Sequence, residues 1–186
     1  MELDWKKRDL INTAIASMHE EGDVTSFDIN KNKRIEFPRG FLRTFNFYRE
    51  IFSFLETSEL KEKIVQHMMH RDTLHWLWLK TDIIADARKM VIKFQLVNLA
   101  SILEGTVKFL TPEMAEKKYN VYDRIDRLQN EGLISNGQDL KKLWQARRSI
   151  HLHLEVQDDP IDFNDINYKA WHSALSIMIS DLKKMK

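Results

Sequence analysis

Residues 82–110 form the longest stretch of helical periodicity in the chain, and apolar side chains occupy more than one side of it. Two apolar rows run along it: Ile84, Ala87, Val91 and Phe94 on one side, and Leu96, Leu99, Leu103 and Val107 on another. A helix that is apolar nearly all round must be surrounded by other elements. The sequence has only 5 Gly and 3 Pro in 186 residues, which leaves little turn chemistry for an all-β fold. The chain is therefore predicted to be an all-α helical bundle.

Further helices are predicted before and after this central segment. They cover residues 5–20, 41–56, 59–79, 121–131, 139–152 and 165–184. Thr111 and Pro112 supply an N-cap and a first-turn proline for one more short helix. Alternating apolar residues favour a short hairpin near residues 24–37, with an irregular loop as the alternative. We expect residues 1–80 to be an N-terminal helical extension and residues 81–186 to be the bundle core, packed as a single compact unit.

Composition and missing motifs exclude several classes of protein. The absence of cysteine excludes disulfide scaffolds, zinc ribbons and thiol catalysis. The sequence contains no Gly-x-Gly-x-x-Gly, P-loop, His-Glu-x-x-His or Gly-x-Ser-x-Gly, so dinucleotide-binding, NTPase, zincin and serine-hydrolase sites are not predicted. With 29 basic and 28 acidic residues the net charge is +1, so a polyanion site would have to be local. No secretory signal or membrane span is predicted, and we expect a cytoplasmic protein.

The segment from Arg147 to His153 carries the clearest chemical signal. Arginine is a permanent planar cation suited to phosphate, and histidine titrates near neutral pH. Metal-free RNA cleavage needs both, because a base must take the 2′-hydroxyl proton while a cation stabilises charge on the phosphate. The structural alternative is a basic helix end whose cations complement the helix dipole. On a straight helix Arg148 and His153 would lie about 140° apart, whereas Arg147 and His151 share a face.

The order of features over residues 82–184 resembles the HEPN superfamily of small helical-bundle proteins. A long helix with LVNLASILEGTVKFL precedes a short helix with RLQNEGLIS and then LWQARRSIHLHL. HEPN domains carry an R-x4-6-H motif near the end of their third core helix. Arg148 and His153 match this motif best, with Ser149 as its polar second residue, and Arg147 fits the looser spacing.

The resemblance implies a metal-independent endoribonuclease, needing no cofactor, that acts as a homodimer with two copies of the motif in one cleft. Arg148 and His153 would then be catalytic, with Arg147, Ser149 and His151 in support. It also implies a toxin or phage-defence role with RNA as substrate and an antitoxin-like protein as partner. A catalytically inactive HEPN-like module that binds RNA or protein is the alternative.

Other polar residues allow structural and functional interpretations. Glu104 interrupts the apolar helix, and the arginines of the motif are its expected partners, either to orient a guanidinium or to take part in catalysis. Metal binding by His151 and His153, or by a second histidine group at His67, His70 and His75, is the less favoured interpretation of those side chains. Arg71 and Asp72, which lie beside these histidines, are expected to be solvated. Six aromatic residues between positions 41 and 78 are most simply core: Phe41, Phe45, Tyr48, Phe52, Trp76 and Trp78.

Overall fold

Every regular element in the described part of the chain is a helix, so the all-α prediction is confirmed. The computed structural model describes residues 9–10, 12–14, 42–56, 59–81, 83–114, 119–150 and 161–184. The chain divides into two compact units, Met1–Arg39 and Gly40–Lys186. In the first unit, residues 9–10 and 12–14 are helical, in agreement with the predicted helix 5–20. The hairpin predicted near residues 24–37 lies outside the described residues.

Six α-helices with defined bounds occur in the described residues of the second unit. They are α1 (Phe45–Ile51), α2 (Glu59–Lys80), α3 (Ala85–Leu110), α4 (Val121–Asn130), α5 (Gly137–Arg148) and α6 (Asp165–Lys183), with a short 3-10 helix, Pro112–Met114, after α3. Two helices are shorter than predicted: segment 41–56 is helical only in α1, and segment 139–152 only to Arg148. The predicted division at residue 80 falls between α2 and α3, which pack against each other.

Helix α3 lies at the centre and contacts α2, α4, α5 and α6. The predicted apolar row Leu96, Leu99, Leu103 and Val107 is completely buried. The other row is only partly inside: Val91 is buried, but Ile84 and Phe94 are 68% and 54% exposed. The prediction of an all-round buried helix is therefore wrong for its first three turns, because the described neighbours cover only one side of them.

The length and composition of α3 would also allow it to cross a membrane. Its most apolar window has a mean hydropathy of 1.3, and 56% of that window is buried inside the protein. The same profile is found in the core helix of a helical bundle, where the apolar surface contacts other helices. The four helices packed on α3 give it such surroundings.

The ends of α4 are fixed by local capping. The side chain of Asn120 accepts from the backbone N–H of Asp123, and the Asp123 carboxylate accepts from the backbone N–H of Asn120, which forms a capping box. At the other end Gly132 has φ +73°, as helix termination by glycine requires. The Leu133 N–H donates to the Leu128 carbonyl at 2.9 Å, which completes a Schellman motif. Helix α4 thus ends within one residue of the predicted bound at residue 131.

We predict that the two apolar rows of α3 contribute unequally to stability. Leu99→Ala should lower the free energy of unfolding by about 2–5 kcal/mol, because it leaves a cavity among fully buried side chains. Phe94→Ala, on the exposed row of the same helix, is the matched control and should cost less than about 1 kcal/mol. Urea denaturation followed by circular dichroism measures both values. Equal losses of unfolding free energy in the two variants would contradict the central position of the row that contains Leu99.

Candidate functional site

A cleft of about 710 Å³ lies where α3, α4 and α5 meet. The last turns of α3, the first turn of α4 with its preceding residues, and the last turn of α5 form its walls. The lining residues are Glu104, Lys108, Tyr119, Asn120, Val121, Tyr122, Arg124, Trp144, Arg147 and Arg148. Both arginines of the predicted motif and the predicted carboxylate therefore line one cavity.

The two motif arginines occupy the last turn of α5. Buried Leu143 and Ala146 hold this turn against the core. Arg147 is half-buried, and its guanidinium lies over the Trp144 ring at 5.3 Å from the centroid. Arg148 is exposed. Both cations also lie at a helix C-terminus, whose partial negative charge favours them in the absence of any ligand.

Helix α5 ends at Arg148, four residues earlier than predicted. The Ser149 hydroxyl donates to the Ala146 carbonyl at 2.7 Å, and the Ser149 N–H donates to the Gln145 carbonyl at 3.2 Å. These bonds close the helix end, so Ser149 has a capping role and does not line the cleft. The angle of about 140° assumed a straight helix from Arg148 to residue 153, whereas the helix ends at Arg148.

Two predicted site residues, His151 and His153, lie outside the described residues. In sequence they follow three and five residues after Arg148, which lines the cleft. The structure therefore describes the arginines of the proposed motif and not its histidines. The assignment of either imidazole as a base stays a prediction from the sequence.

Glu104 is less buried than its apolar neighbours suggested. Its side chain is 33% exposed, and the Lys108 ammonium donates to it at 2.6 Å. The lysine lies four residues further along α3, so the pair is formed within one helix. The expectation that the motif arginines would be the partners of a buried carboxylate is therefore corrected: the partner that the structure gives is Lys108. Glu104, Arg147 and Arg148 nevertheless line the same cleft.

Arg124 is a cleft residue that the sequence analysis did not single out. Only 5% of it is exposed. Its guanidinium donates to the Thr111 carbonyl at 2.9 Å, to the Thr111 hydroxyl at 2.7 Å and to the Met114 carbonyl. It thus binds the 3-10 segment to α4. Helical spacing could have indicated its burial. Arg124 is three residues after Val121 and adjacent to Ile125, which places it on the buried face of α4.

Three aromatic side chains line the cleft together with its cations: Tyr119, Tyr122 and Trp144. Trp144 is partly buried, because it packs against the core and also lines the cleft. Among the aromatic residues predicted as core, Tyr48 and Phe52 are completely buried, whereas Phe45, Trp76 and Trp78 are only partly buried. Phe41 lies outside the described residues.

The second histidine group forms separate contacts. His67 Nδ1 lies 2.8 Å from the Asn98 amide oxygen, and the His67 and His70 rings are 6.0 Å apart. His75 stacks on Tyr168 at 6.0 Å. Within the described residues no three His, Asp or Glu side chains come together as metal ligands.

The prediction of solvated charges at Arg71 and Asp72 is wrong. Arg71 is 5% exposed, and its Nη2 donates to the Asp72 carboxylate at 2.6 Å. The Tyr48 hydroxyl donates to the other oxygen of the same carboxylate. Because α1 covers this stretch of α2, charges that would otherwise be solvated are enclosed and paired.

Comparison with known proteins gives no match for this chain among protein-family profiles, curated proteins or solved structures. The resemblance to HEPN domains thus rests on the sequence features described above.

We predict that Arg124 stabilises the wall of the cleft. Arg124→Met should cost about 2–4 kcal/mol, because it removes three hydrogen bonds from a charged donor, two of them to buried Thr111. Arg127→Met on the same helix is the control. It removes only the exposed pair with Glu131 and should cost less than about 0.5 kcal/mol. Urea denaturation of both variants checks this, and equal costs would contradict the structural role of Arg124.

Proposed function

We propose that the cleft binds RNA and that the chain is a HEPN-like, metal-independent endoribonuclease. The observation that carries this proposal is the convergence of Arg147 and Arg148 with aromatic rings in one cavity. Binding of single-stranded nucleic acid uses this combination, since cations bind the backbone phosphates and aromatic faces stack on bases. The protein as a whole is nearly neutral, so a site for a polyanion must be formed by a local group of cations such as the one that lines this cleft.

The charge of the lining supports a polyanionic ligand. Lys108, Arg124, Arg147 and Arg148 are cationic, and Glu104 is the single carboxylate among the described lining residues. Lys108 is paired with Glu104, and Arg124 is bound to backbone carbonyls. The exposed Arg148 guanidinium is therefore the best-placed cation for a phosphate, with Arg147 beside it.

The proposed reaction is an in-line transfer of phosphate within the RNA. His153, or His151 in its place, accepts the 2′-hydroxyl proton, and the 2′-oxygen attacks the adjacent phosphorus. The bond from phosphorus to the 5′-oxygen breaks, and that oxygen takes a proton from solvent water. The products are a 2′,3′-cyclic phosphate and a 5′-hydroxyl end. Arg148 and Arg147 stabilise the charge on the phosphate oxygens. DNA cannot react by this route because it lacks the 2′-hydroxyl.

We predict that the purified chain cleaves mixed single-stranded RNA in excess chelator, because each step uses side chains alone. The Arg148→Ala/His153→Ala double variant should lose at least 100-fold in rate, as is usual for loss of acid–base and phosphate-stabilising groups. Acidification should slow the wild type, since the base must be neutral. Gel analysis and end-group labelling measure rate and product.

The control for this experiment is Arg127→Ala, which removes an arginine of α4 that does not line the cleft. Its cleavage rate should equal that of the wild type. Activity that disappears with chelator, or persists in the double variant, would contradict the mechanism. RNA binding without cleavage would contradict the nuclease step and favour the inactive binding module instead.

We further propose a homodimer in which the last turn of α5 lies near the two-fold axis. One arginine and one histidine form only one wall of a site, and an isologous dimer supplies the opposite wall from the same surface. A cytoplasmic toxin or phage-defence nuclease of this kind would need an antitoxin-like protein to restrain it.

We predict that a single cysteine on α5 detects this dimer, because the native chain has no cysteine. Gln145→Cys should crosslink efficiently to itself with a short bismaleimide. Gln66→Cys, at an equally exposed glutamine on α2, should not. Light scattering at micromolar concentration should give twice the chain mass. A monomer mass, or equal crosslinking at the two positions, would contradict the proposed axis.

A further inference from the structure

A second cavity, of about 200 Å³, lies between α2 and α6. Its lining consists of Arg71, His75, Tyr168, Lys169 and His172. None of these residues lines the cleft at the end of α5. One water occupies about 30 Å³ of liquid volume, so the space corresponds to about six or seven waters. A ligand of only a few heavy atoms would fit it.

Arg71 is the most enclosed charge of this cavity. It is 5% exposed, and its Nη2 binds the Asp72 carboxylate at 2.6 Å. Its Nε–H is buried and has no acceptor among the described residues. A buried donor without an acceptor is costly, and buried polar groups in native proteins are nearly always paired. Other parts of the Arg71 side chain line the cavity.

Both carboxylate oxygens of Asp72 already accept hydrogen bonds, and the cations around this carboxylate outnumber it. One of its oxygens accepts from Arg71 and the other from the Tyr48 hydroxyl. Arg43 lies 3.8 Å from the same carboxylate. Two guanidinium groups therefore share one carboxylate, and Lys169 adds a third cation at the cavity.

The surroundings lower the pKa of both histidines. Burial, followed by the charge of Arg71, lowers the pKa of His172 to about 4, and the same two causes lower the pKa of His75. The Nδ1 atom of His75 is buried without a hydrogen-bond partner among the described residues. The charge of Arg43 also lowers the pKa of both imidazoles, whereas the charge of Asp72 raises it. An anion in the cavity would reverse this balance and favour protonation of the rings.

We propose that this cavity is a binding site for a small oxyanion, a phosphate or a carboxylate, held by Arg71 and Lys169 with an imidazole N–H of His75 or His172. Arg71 supplies a fixed, buried donor, and the guanidinium geometry matches the oxygens of either group. Lys169 supplies charge at the exposed edge. The site does not depend on the nuclease proposal, since it uses different residues of different helices.

Nuclear magnetic resonance of the full chain tests the site through the ring protons of His172 and His75. Inorganic phosphate, acetate and chloride are titrated separately at constant ionic strength. We expect saturable shifts with phosphate, acetate or both, and a rise of the His172 pKa by at least one unit at saturation. Phosphate alone would identify a phosphate site, and acetate alone a carboxylate site. Shifts that do not saturate, or that chloride reproduces, would overturn the proposal.

Variants on α6 separate a binding role from a structural one. Lys169→Ala removes an exposed cation of the cavity and should weaken binding of the effective anion at least fivefold. Lys183→Ala, an exposed lysine at the end of the same helix, should leave it unchanged. Arg71→Lys keeps the positive charge but loses the planar guanidinium with its paired donors. If this variant folds, it should bind the anion more weakly than Lys169→Ala does. Equal affinity in Lys169→Ala and wild type would overturn the assignment.

Discussion

Burial of one side of α3 is the constraint on which the rest of the structure depends. Leu96, Leu99, Leu103 and Val107 leave no surface to solvent, so four other helices must surround this part of the chain. Roughly 1.5–3 kcal/mol of hydrophobic free energy accompanies the full burial of each such side chain. The positions of α4 and α5 follow from this packing, and the cleft is the space left where their polar ends meet beside Glu104.

Polar groups close to this core are stabilised by partners on neighbouring elements. Arg124 binds the carbonyls that follow α3, and Arg71 shares Asp72 with Tyr48 of α1. A charge in such a place costs free energy unless it is paired. The pairing therefore fixes which helix ends come together, in addition to the apolar packing that brings them close. The two cavities border these paired arginines.

The helical fold could be predicted because periodicity and caps are local signals. The Leu99 row and the stop at Gly132 follow from a few neighbouring residues. The exposure of Phe94 could not be predicted, since it depends on which helix covers which turn. The enclosure of Arg71 is a tertiary effect of the same kind. At the candidate site, sequence order indicated Arg147 and Arg148, whereas the end of α5 at Ser149 and the role of Arg124 required three-dimensional contacts.

The attachment of α1 to α2 has a consequence for the order in which the chain folds. A helix of seven residues is too short to persist in water by itself. Its Tyr48 hydroxyl reaches a carboxylate that α2 presents only after its third turn has formed. Helix α1 should therefore form late and open first, as a small cooperative unit of its own. Backbone amides of α1 would then exchange with solvent through local opening, while those of α3 would exchange only when the whole bundle unfolds.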